Sequence, residues 1–547
     1  MKKNMRKPVV NKKYNGSYES IVAEFEGSPP VKTNYDSSAV IGESFLDSAS
    51  FTTIEVESLF QTLNKTQLKL GEVALYRSLT NPLMDSASVV SRQDGLRELS
   101  ENKILRDEFS TLIDDIKNHE EGLFDLMWRR FVGFSGADVR HESERSGFGY
   151  DAFKHSRRLL QAIKKTSLSI SQPETSFLGS IVDDLKLINT NRTSQLILDK
   201  AYVTERGIKT KKEKKWWIPG YRFRPSLFKP VFFTLILTAL MALFNFVDNV
   251  HGGLGSGIGP IVLFMGAPLL IFTMLMIGAF DRDNFINPIG KILLKDPEIQ
   301  SILDALGEIE TLLIHDKFFR HFTGPVCLPS IIEVDQHQLI VEDLWNAPIG
   351  IVNESYIGND ISMLDDRLNF ITGPNSGGKT ALCKTICQSQ ILGQSGGYVP
   401  AKKMSFSIVK HIYYQTPEAG SLDTAQGRFA TELERTRDIF FNCKEASLVV
   451  LDEPFEGTSY EERLEITRDI LDGFIKTGAS VFFITHNFPL VHLYEKQKTG
   501  QFLETVFEDN VFTHHFKEGI ASTSHADRVV AQLGFSKEDI KNHLNNN

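Results

Sequence analysis

The run Gly373-Pro374-Asn375-Ser376-Gly377-Gly378-Lys379-Thr380 fits the pattern G-x-x-x-x-G-K-[ST], and it directly follows the apolar run Leu368-Asn369-Phe370-Ile371-Thr372. A strand that turns into a helix through such a loop cradles phosphate. Glycines let backbone N–H groups close around phosphate oxygens, and the helix N-terminus behind them favours negative charge. Lys379 is placed to reach the outer phosphates of a nucleoside triphosphate, and Thr380 to ligate Mg2+. A second apolar run, Ser447-Leu448-Val449-Val450-Leu451, ends in Asp452-Glu453. A carboxylate at the end of a buried strand is costly unless it is paired or holds a metal. Asp452 is therefore expected to hold Mg2+, and Glu453 to polarise the attacking water. A third run, Ser480-Val481-Phe482-Phe483-Ile484-Thr485, ends at His486, which is suited to sense the outermost phosphate. Together these residues point to hydrolysis of a nucleoside triphosphate.

Three such strand ends need an α/β domain, and residues 326–547 alternate strand-like and helix-like runs as one should. Cys383 and Cys387 lie one turn apart on the helix after the loop and read as small buried packing residues. With Cys327 and Cys443 they complete the cysteines, which read as free thiols in a reducing compartment. Upstream, Val56, Leu59, Phe60 and Leu63 fall on one helical face, and residues 44–228 read as a helical domain with a loop near Gly133–Gly149. Residues 283–325 read as returning helices, with Ile299, Ile302, Leu303, Leu306 and Ile309 at helical spacing. Residues 1–43 are polar and read as a flexible tail without a cleavable signal peptide.

Between the helical segments the texture changes. Nine Lys/Arg and a single acid, Glu213, lie between Arg206 and Lys229. Pro230–Val247 and Ile258–Phe280 then carry no charge. At 18 and 23 residues, each is long enough to cross a hydrocarbon core of about 30 Å. The expectation is a two-helix transmembrane hairpin over 229–282, with the cationic run and Trp216, Trp217 and Tyr221 at the cytoplasmic interface. Both termini and the α/β domain then lie on the cytoplasmic side of the inner or cytoplasmic membrane. The mean hydropathy of −0.16 hides this segment, because it is averaged over the whole chain. The net charge of −9, from 60 Lys+Arg and 69 Asp+Glu among 547 residues, excludes a uniformly basic nucleic-acid coat.

On these motifs the chain resembles the MutS family of ATPases. Gly373–Thr380 is similar to that family's P-loop, Gly396-Gly397-Tyr398-Val399-Pro400-Ala401 to the segment after the P-loop helix, and Asn359-Asp360 to the stretch before its strand. Asp452-Glu453 with Gly457-Thr458-Ser459 resembles its Walker B and the adjoining loop, and Thr485-His486-Asn487-Phe488 its histidine switch. Leu46-Asp47 and the run from Leu70 to Arg97 resemble its core domain, and Gly519–Ser524 and Val529–Gly534 its dimerising tail. The resemblance implies that ATP and Mg2+ bind from Gly373 through Ala381, with Lys379, Glu453 and His486 catalytic and Thr380 and Asp452 on the metal. Tyr356 falls where a family aromatic stacks on adenine, and equally where a core tyrosine could stand. It also implies a homodimer in which Gly427, Arg428, Phe429 and Glu432 of one subunit complete the site of the other. Gly427 stands where a serine is usual, with Arg428 as a substitute charge.

The architecture expected is thus multidomain: a helical core and lever domain interrupted by a membrane hairpin, then a P-loop ATPase domain of the ABC type. The departures from the family shape the function. No Phe-x-Glu occurs in the first 130 residues, so the mismatch-reading wedge is missing. The hairpin stands where the family inserts its DNA clamp, and a hairpin in the bilayer cannot close around DNA. The leading expectation is an ATPase whose dimer moves levers against the lipid bilayer or a partner. The alternatives are a DNA-binding module held at the membrane by its basic run, and an ABC-type transporter. DNA is disfavoured by the clamp's replacement. The transporter is disfavoured because only Thr234, Thr238, Asn245 and Thr273 are polar within the spans.

Overall fold

A computed structural model describes residues 44–131, 147–225 and 272–521 apart from short breaks in the last stretch, isolated positions between 235 and 246, and a terminal helix at 537–545. The tail, most of the loop before Gly149 and most of the expected hairpin and dimerising tail lie outside the described residues. Among the described residues no helix is long and apolar enough to cross a membrane.

Helices dominate the first part: α1 (Ser48–Thr53), α2 (Val56–Leu63), α3 (Lys69–Thr80), α4 (Ser86–Glu101), α5 (Lys103–Ile116), α6 (Glu120–Trp128), α7 (Tyr150–Ser169), α8 (Ser176–Lys186) and α9 (Arg192–Leu198). In α2 the expected face, Val56, Leu59, Phe60 and Leu63, is buried. The cationic run does not continue the helices. With the preceding β1 (Ala201–Thr204), its described residues form an antiparallel sheet of order β2-β1-β3, with β2 (Gly207–Thr210) and β3 (Tyr221–Arg222). The β1–β2 turn is closed by Thr204 Oγ1 donating to the Gly207 carbonyl at 2.8 Å, with Gly207 at φ +90°. That backbone conformation favours glycine. Residues 272–281 are helical and run through a π-helical turn, Arg282–Ile286, into α10 (Asn287–Lys295).

Helix α11 (Pro297–His321) packs on α3, α4, α5 and α8 and spans the helical part. Its start is capped by Asp296, whose Oδ1 accepts the N–H groups of Glu298 and Ile299. Helix α3 has no side-chain cap of its own at Leu68. Its orphan N–H groups are taken by two distant carboxylates instead. Glu120 of α6 accepts from Lys69 and Leu70 at 2.7 and 2.8 Å, and Glu310 of α11 accepts from Leu68 at 3.1 Å. Burial, opposed by these hydrogen bonds, pushes both carboxyls up to about 7. Because the unfolded value of 4.5 is lower, this raised pair contributes stability that is complete below it and lost as pH climbs through about 7. The melting temperature is therefore expected to fall between about pH 5 and pH 8. Glu310→Gln, which cannot ionise, should flatten that slope in a calorimetric pH series. An unchanged slope would exclude this origin.

The second part is built on a mixed six-stranded sheet of order β13-β12-β7-β11-β10-β9. Its strands are β7 (Leu368–Thr372), β9 (His411–Gln415), β10 (Ser447–Asp452), β11 (Ser480–Ile484), β12 (Gln501–Glu508) and β13 (Val511–Glu518). A four-stranded sheet of order β4-β8-β5-β6 flanks it, from β4 (Ser330–Ile331), β5 (Leu339–Leu344), β6 (Asn359–Met363) and β8 (Ala401–Phe406). Short helix α12 (Ala347–Gly350), then α13 (Lys379–Gln394), α14 (Ala425–Asn442), α15 (Tyr460–Thr477), α16 (Phe488–Gln497) and terminal α17 (Lys537–Asn545) complete the elements. Strands β7, β9, β10 and β11 are buried along their whole length, as parallel strands covered on both faces must be.

The two parts share contacts close to the phosphate loop. Ile412 of β9 donates its N–H to the Phe45 carbonyl, and Tyr414 to Ser50 Oγ at 2.8 Å. Arg435 of α14 pairs with the buried Asp47 at 2.8 Å. At the far end of α13, Arg92 bridges Glu308 of α11 and the Ser395 carbonyl. Tyr398 stacks on Phe319 of α11 at 4.5 Å between centroids. Helix α13 itself is tied to the helical part by Lys384, which pairs with Glu55 at 2.6 Å, and by Gln388, which donates to the Ile54 carbonyl at 2.8 Å, as well as at its far end.

Candidate functional site

Sheet order decides how the three motifs meet. Strands β7, β11 and β10 are adjacent and parallel, so their C-terminal ends open onto one crevice. Asp452 is the register partner of Ile484, which places the Walker B acid beside the strand that ends at His486. The Glu453 N–H donates to the Ile484 carbonyl at 3.0 Å, and the Thr485 N–H to the Ile371 carbonyl at 3.2 Å. These bonds lock the three strand ends together.

The loop is built for close backbone approach. Gly373 and Gly378 have φ of +133° and +91°, where a side chain is disfavoured. A Cβ at Gly373 or Gly377 would also collide with Thr505 of β12. The Gly377 N–H donates to the Pro374 carbonyl at 3.0 Å and tightens the turn. Asn375 and Ser376 lie outside the described residues.

Lys379 is buried, and its Nζ donates to the Gly373 carbonyl at 2.7 Å. It stands 3.6 Å from Glu453 Oε1 and 3.4 Å from His486 Nε2. Burial holds the lysine below its usual range, against the pull of Glu453 and Asp452. Thr380 Oγ1 donates to Asp452 Oδ2 at 2.7 Å. Burial raises Asp452, and the Thr380 hydrogen bond works against it. Burial also acts to raise Glu453, but the hydrogen bond and charge of His486 and the Lys379 ammonium outweigh it and hold this carboxyl below its usual range. Glu453 Oε1 lies 2.8 Å from His486 Nε2. Its backbone is left-handed at φ 48°, an unusual conformation for a residue with a side chain.

These positions fit a triphosphate with Mg2+. The Thr380 hydroxyl and the Asp452 carboxylate already converge on one point, the hydrogen bond between them being where a cation would enter. Among the described residues no group of three or more His, Cys, Asp or Glu could hold a metal alone. Mg2+ suits such a partial set, because it takes one or two protein oxygens and completes its shell with phosphate and water. The lysine ammonium is satisfied by a backbone carbonyl within the loop it would leave for phosphate.

The remaining sequence-derived residues are placed as follows. Ala381 is half-buried in the first turn of α13, and its carbonyl accepts from Thr385. Tyr356 packs on Trp345 with centroids 5.3 Å apart, and burial raises its phenol, against hydrogen bonds with Thr385 and Asn346. It therefore lines the side of α13. Gly427 and Arg428 stand in the first turn of α14, and their side-chain surroundings lie outside the described residues. Phe429 and Glu432 turn into their own chain. Phe429 meets Phe455 edge-on at 6.1 Å, and Glu432 accepts the Phe455 N–H at 2.7 Å. Glu432 is buried. It fixes the backbone just after Asp452-Glu453, a role within its own subunit. Gly457, Thr458 and Ser459 lie outside the described residues. All four cysteines are free, with Cys383 and Cys387 buried in α13.

Two neighbours of the loop were not legible in the sequence, Thr505 and His514, whose ring Nδ1 comes within 3.5 Å of where a Cβ on Gly378 would stand. The Asn359 side chain donates to the His514 carbonyl at 3.0 Å and accepts from Phe516 at 2.8 Å, which binds β6 to β13 beside the loop. The one sequence signal near them is the Asn359-Asp360 pair. Residues 369–545, which contain this constellation, match the family model of MutS domain V.

Proposed function

We propose that this chain, which belongs to the MutS family by its ATPase domain, is a membrane-anchored ATPase that works as a homodimer and moves its helical part as it binds and hydrolyses ATP. The observation that carries the reading is the convergence of Lys379, Thr380, Asp452, Glu453 and His486 at three neighbouring strand ends. Lys379 exchanges the Gly373 carbonyl for phosphate oxygens and stabilises the charge that builds on them. Glu453, ionised and oriented by His486, takes a proton from the attacking water. Mg2+, when bound, supplies charge that neutralises and orients the phosphate oxygens, and Thr380 and Asp452 are the residues that would hold it.

Motion of the loop helix α13 has a route into the helical part, through Ser395 and Arg92 to Glu308, and through Tyr398 to Phe319. The levers are α11 and its neighbours. Dimer formation brings the first turn of α14, with Gly427 and Arg428, towards the partner's nucleotide. Gly427 has no hydroxyl to offer there, which favours a slow enzyme.

The membrane anchor rests on the two charge-free stretches within 229–282. It is supported by the described turns beside them. Phe272, Met276 and Phe280 are exposed on one face of their helix, at i, i+4 spacing. Trp216 and Trp217 are 89% and 60% exposed on the cationic β2–β3 loop. A soluble surface rarely collects such side chains together with so many cations. The test has two arms. Full-length protein should sediment with membranes and lose this on deletion of 229–282. Detergent-purified protein should hydrolyse Mg-ATP above the background of Lys379→Ala. Loss of either result removes the corresponding half of the proposal.

A further inference from the structure

Away from the ATPase site, a cavity of about 590 Å3 opens where the β1–β3 sheet meets α7 and α9. Its chemistry is one-sided. Arg157 of α7 and Arg222 of β3 line it, with Lys200, Lys211, Lys212 and Arg224 around them and Asp199 the one carboxylate among the described lining residues. The nearby acid Glu213 is engaged elsewhere, on Arg192 at 2.6 Å. Arg157 spends one nitrogen on the Leu198 carbonyl at 3.0 Å. The Nε of Arg157 and the Nε of Arg222 are both shielded from solvent and have no hydrogen-bond partner among the described residues. A buried guanidinium N–H without an acceptor is a standing cost, which oxygens of an anionic ligand remove. Two arginine forks in one cavity suit the tetrahedral oxygens of a phosphate.

The floor and the position of the cavity bear on the source of the phosphate. Phe223 stacks on Phe285 at 3.5 Å between centroids, and Phe153 meets Phe223 edge-on at 5.2 Å. All three line the cavity. The three rings are buried, at 1–6% exposed, and form the packed floor beneath the arginines. Pro225, also in the lining, leads into the uncharged stretch from Pro230. Phe285 lies just after the end of the second uncharged stretch. The cavity therefore lies where both expected spans leave the bilayer.

We propose that this cavity binds the phosphate headgroup of an anionic phospholipid, with phosphate oxygens on Arg157 and Arg222. The lipid as the source of the phosphate rests on the membrane reading above, whereas the phosphate chemistry does not. The lysines and Arg224 collect the headgroup electrostatically, and the two arginines fix it. Phe285 stands in the π-helical turn that feeds α10, so an occupied cavity braces the junction between the second span and the helical part.

The test is calorimetric titration of the full-length protein, in uncharged detergent, with four probes. These are short-chain phosphatidic acid, short-chain phosphatidylcholine, glycerol 3-phosphate and inorganic phosphate. Phosphatidic acid should bind tightest. Arg157→Gln and Arg222→Gln should each weaken it about tenfold, the loss of one charge-assisted hydrogen-bond partner. Lys212→Gln, at the exposed rim, should weaken it about two- to fivefold without touching the fold. Lys498→Gln, far from the cavity, should leave binding unchanged. Equal binding of phosphatidylcholine, or affinity indifferent to all three cavity variants, overturns the proposal. Inorganic phosphate or glycerol 3-phosphate matching the lipid overturns the lipid assignment and makes the ligand a soluble phosphate. ATP hydrolysis, read on the same samples, should be unaffected by the cavity variants. A failure of the ATPase reading is thereby told apart from a failure here.

Discussion

Glu453→Gln is expected to lower the turnover of ATP by about 100- to 10,000-fold, the usual worth of a positioned general base. The change is nearly isosteric, so the loop, the lysine and the Mg2+ pair should survive it. In the wild type the carboxylate is kept ionised against burial by His486 at 2.8 Å and by Lys379 at 3.6 Å. It is therefore a base at neutral pH without a proton to shed first. The substituted amide keeps a hydrogen bond to His486 but cannot accept a proton. ATP affinity should stay within about threefold, because the interaction lost is one made in the transition state. The check is a pair of measurements on the same preparation: single-turnover hydrolysis and nucleotide affinity. A variant that lost both together would move Glu453 from proton acceptor to binding residue. Nucleotide-driven dimerisation should also persist longer in the variant, since bound ATP is no longer consumed. Sedimentation with Mg-ATP over time reads that lifetime.

The motifs behind that expectation were legible because each occupies a few consecutive residues. Gly373–Thr380 carries its own glycines, lysine and threonine, and Asp452-Glu453 ends an apolar strand. What brings them together is not local. Strand β11 lies between β7 and β10, although it follows both in sequence, and only that order sets His486 against Glu453 and Lys379. Thr505 closes the loop from a strand that begins more than a hundred residues later. Its β-branched side chain carries no motif, so nothing in the sequence marks it. Glu432 was legible only in part. Its place in the segment after Ala425 was visible, whereas its burial and the Phe455 N–H that it accepts depend on residues two dozen positions away. In the run from Arg206 to Lys229 the charge was legible and the sheet was not. Cations dominate its composition, while the alternation and the Gly207 turn that make a sheet are brief. The cavity on that sheet was invisible because Arg157 and Arg222 are separated by α8, α9 and two strands before the fold joins them.

Lys379→Ala should abolish hydrolysis and nearly abolish nucleotide binding, by about 1,000-fold or more in kcat/KM, because the lysine contacts the phosphates in both the bound and the transition state. The structure separates this effect from misfolding. In the free protein Lys379 is buried, and burial holds it below its usual range, so the fold bears a desolvation cost to keep it. Its removal leaves Glu453 still bound to His486 and Asp452 still bound to Thr380. The variant's own melting temperature should therefore stay near that of the wild type. The response to ligand should not. A nucleotide at one hundred times its dissociation constant stabilises a folded protein by about 2.7 kcal/mol. For a chain of this length that is a shift of about 2 °C, expected for the wild type with Mg-ATP and absent from the variant. A variant that melts early without nucleotide would show that the ammonium holds the loop structurally. A variant that keeps the ATP-induced shift would show that phosphate is bound without it. Either result would move the origin of catalysis away from the Gly373–Lys379 contact on which the proposed function stands.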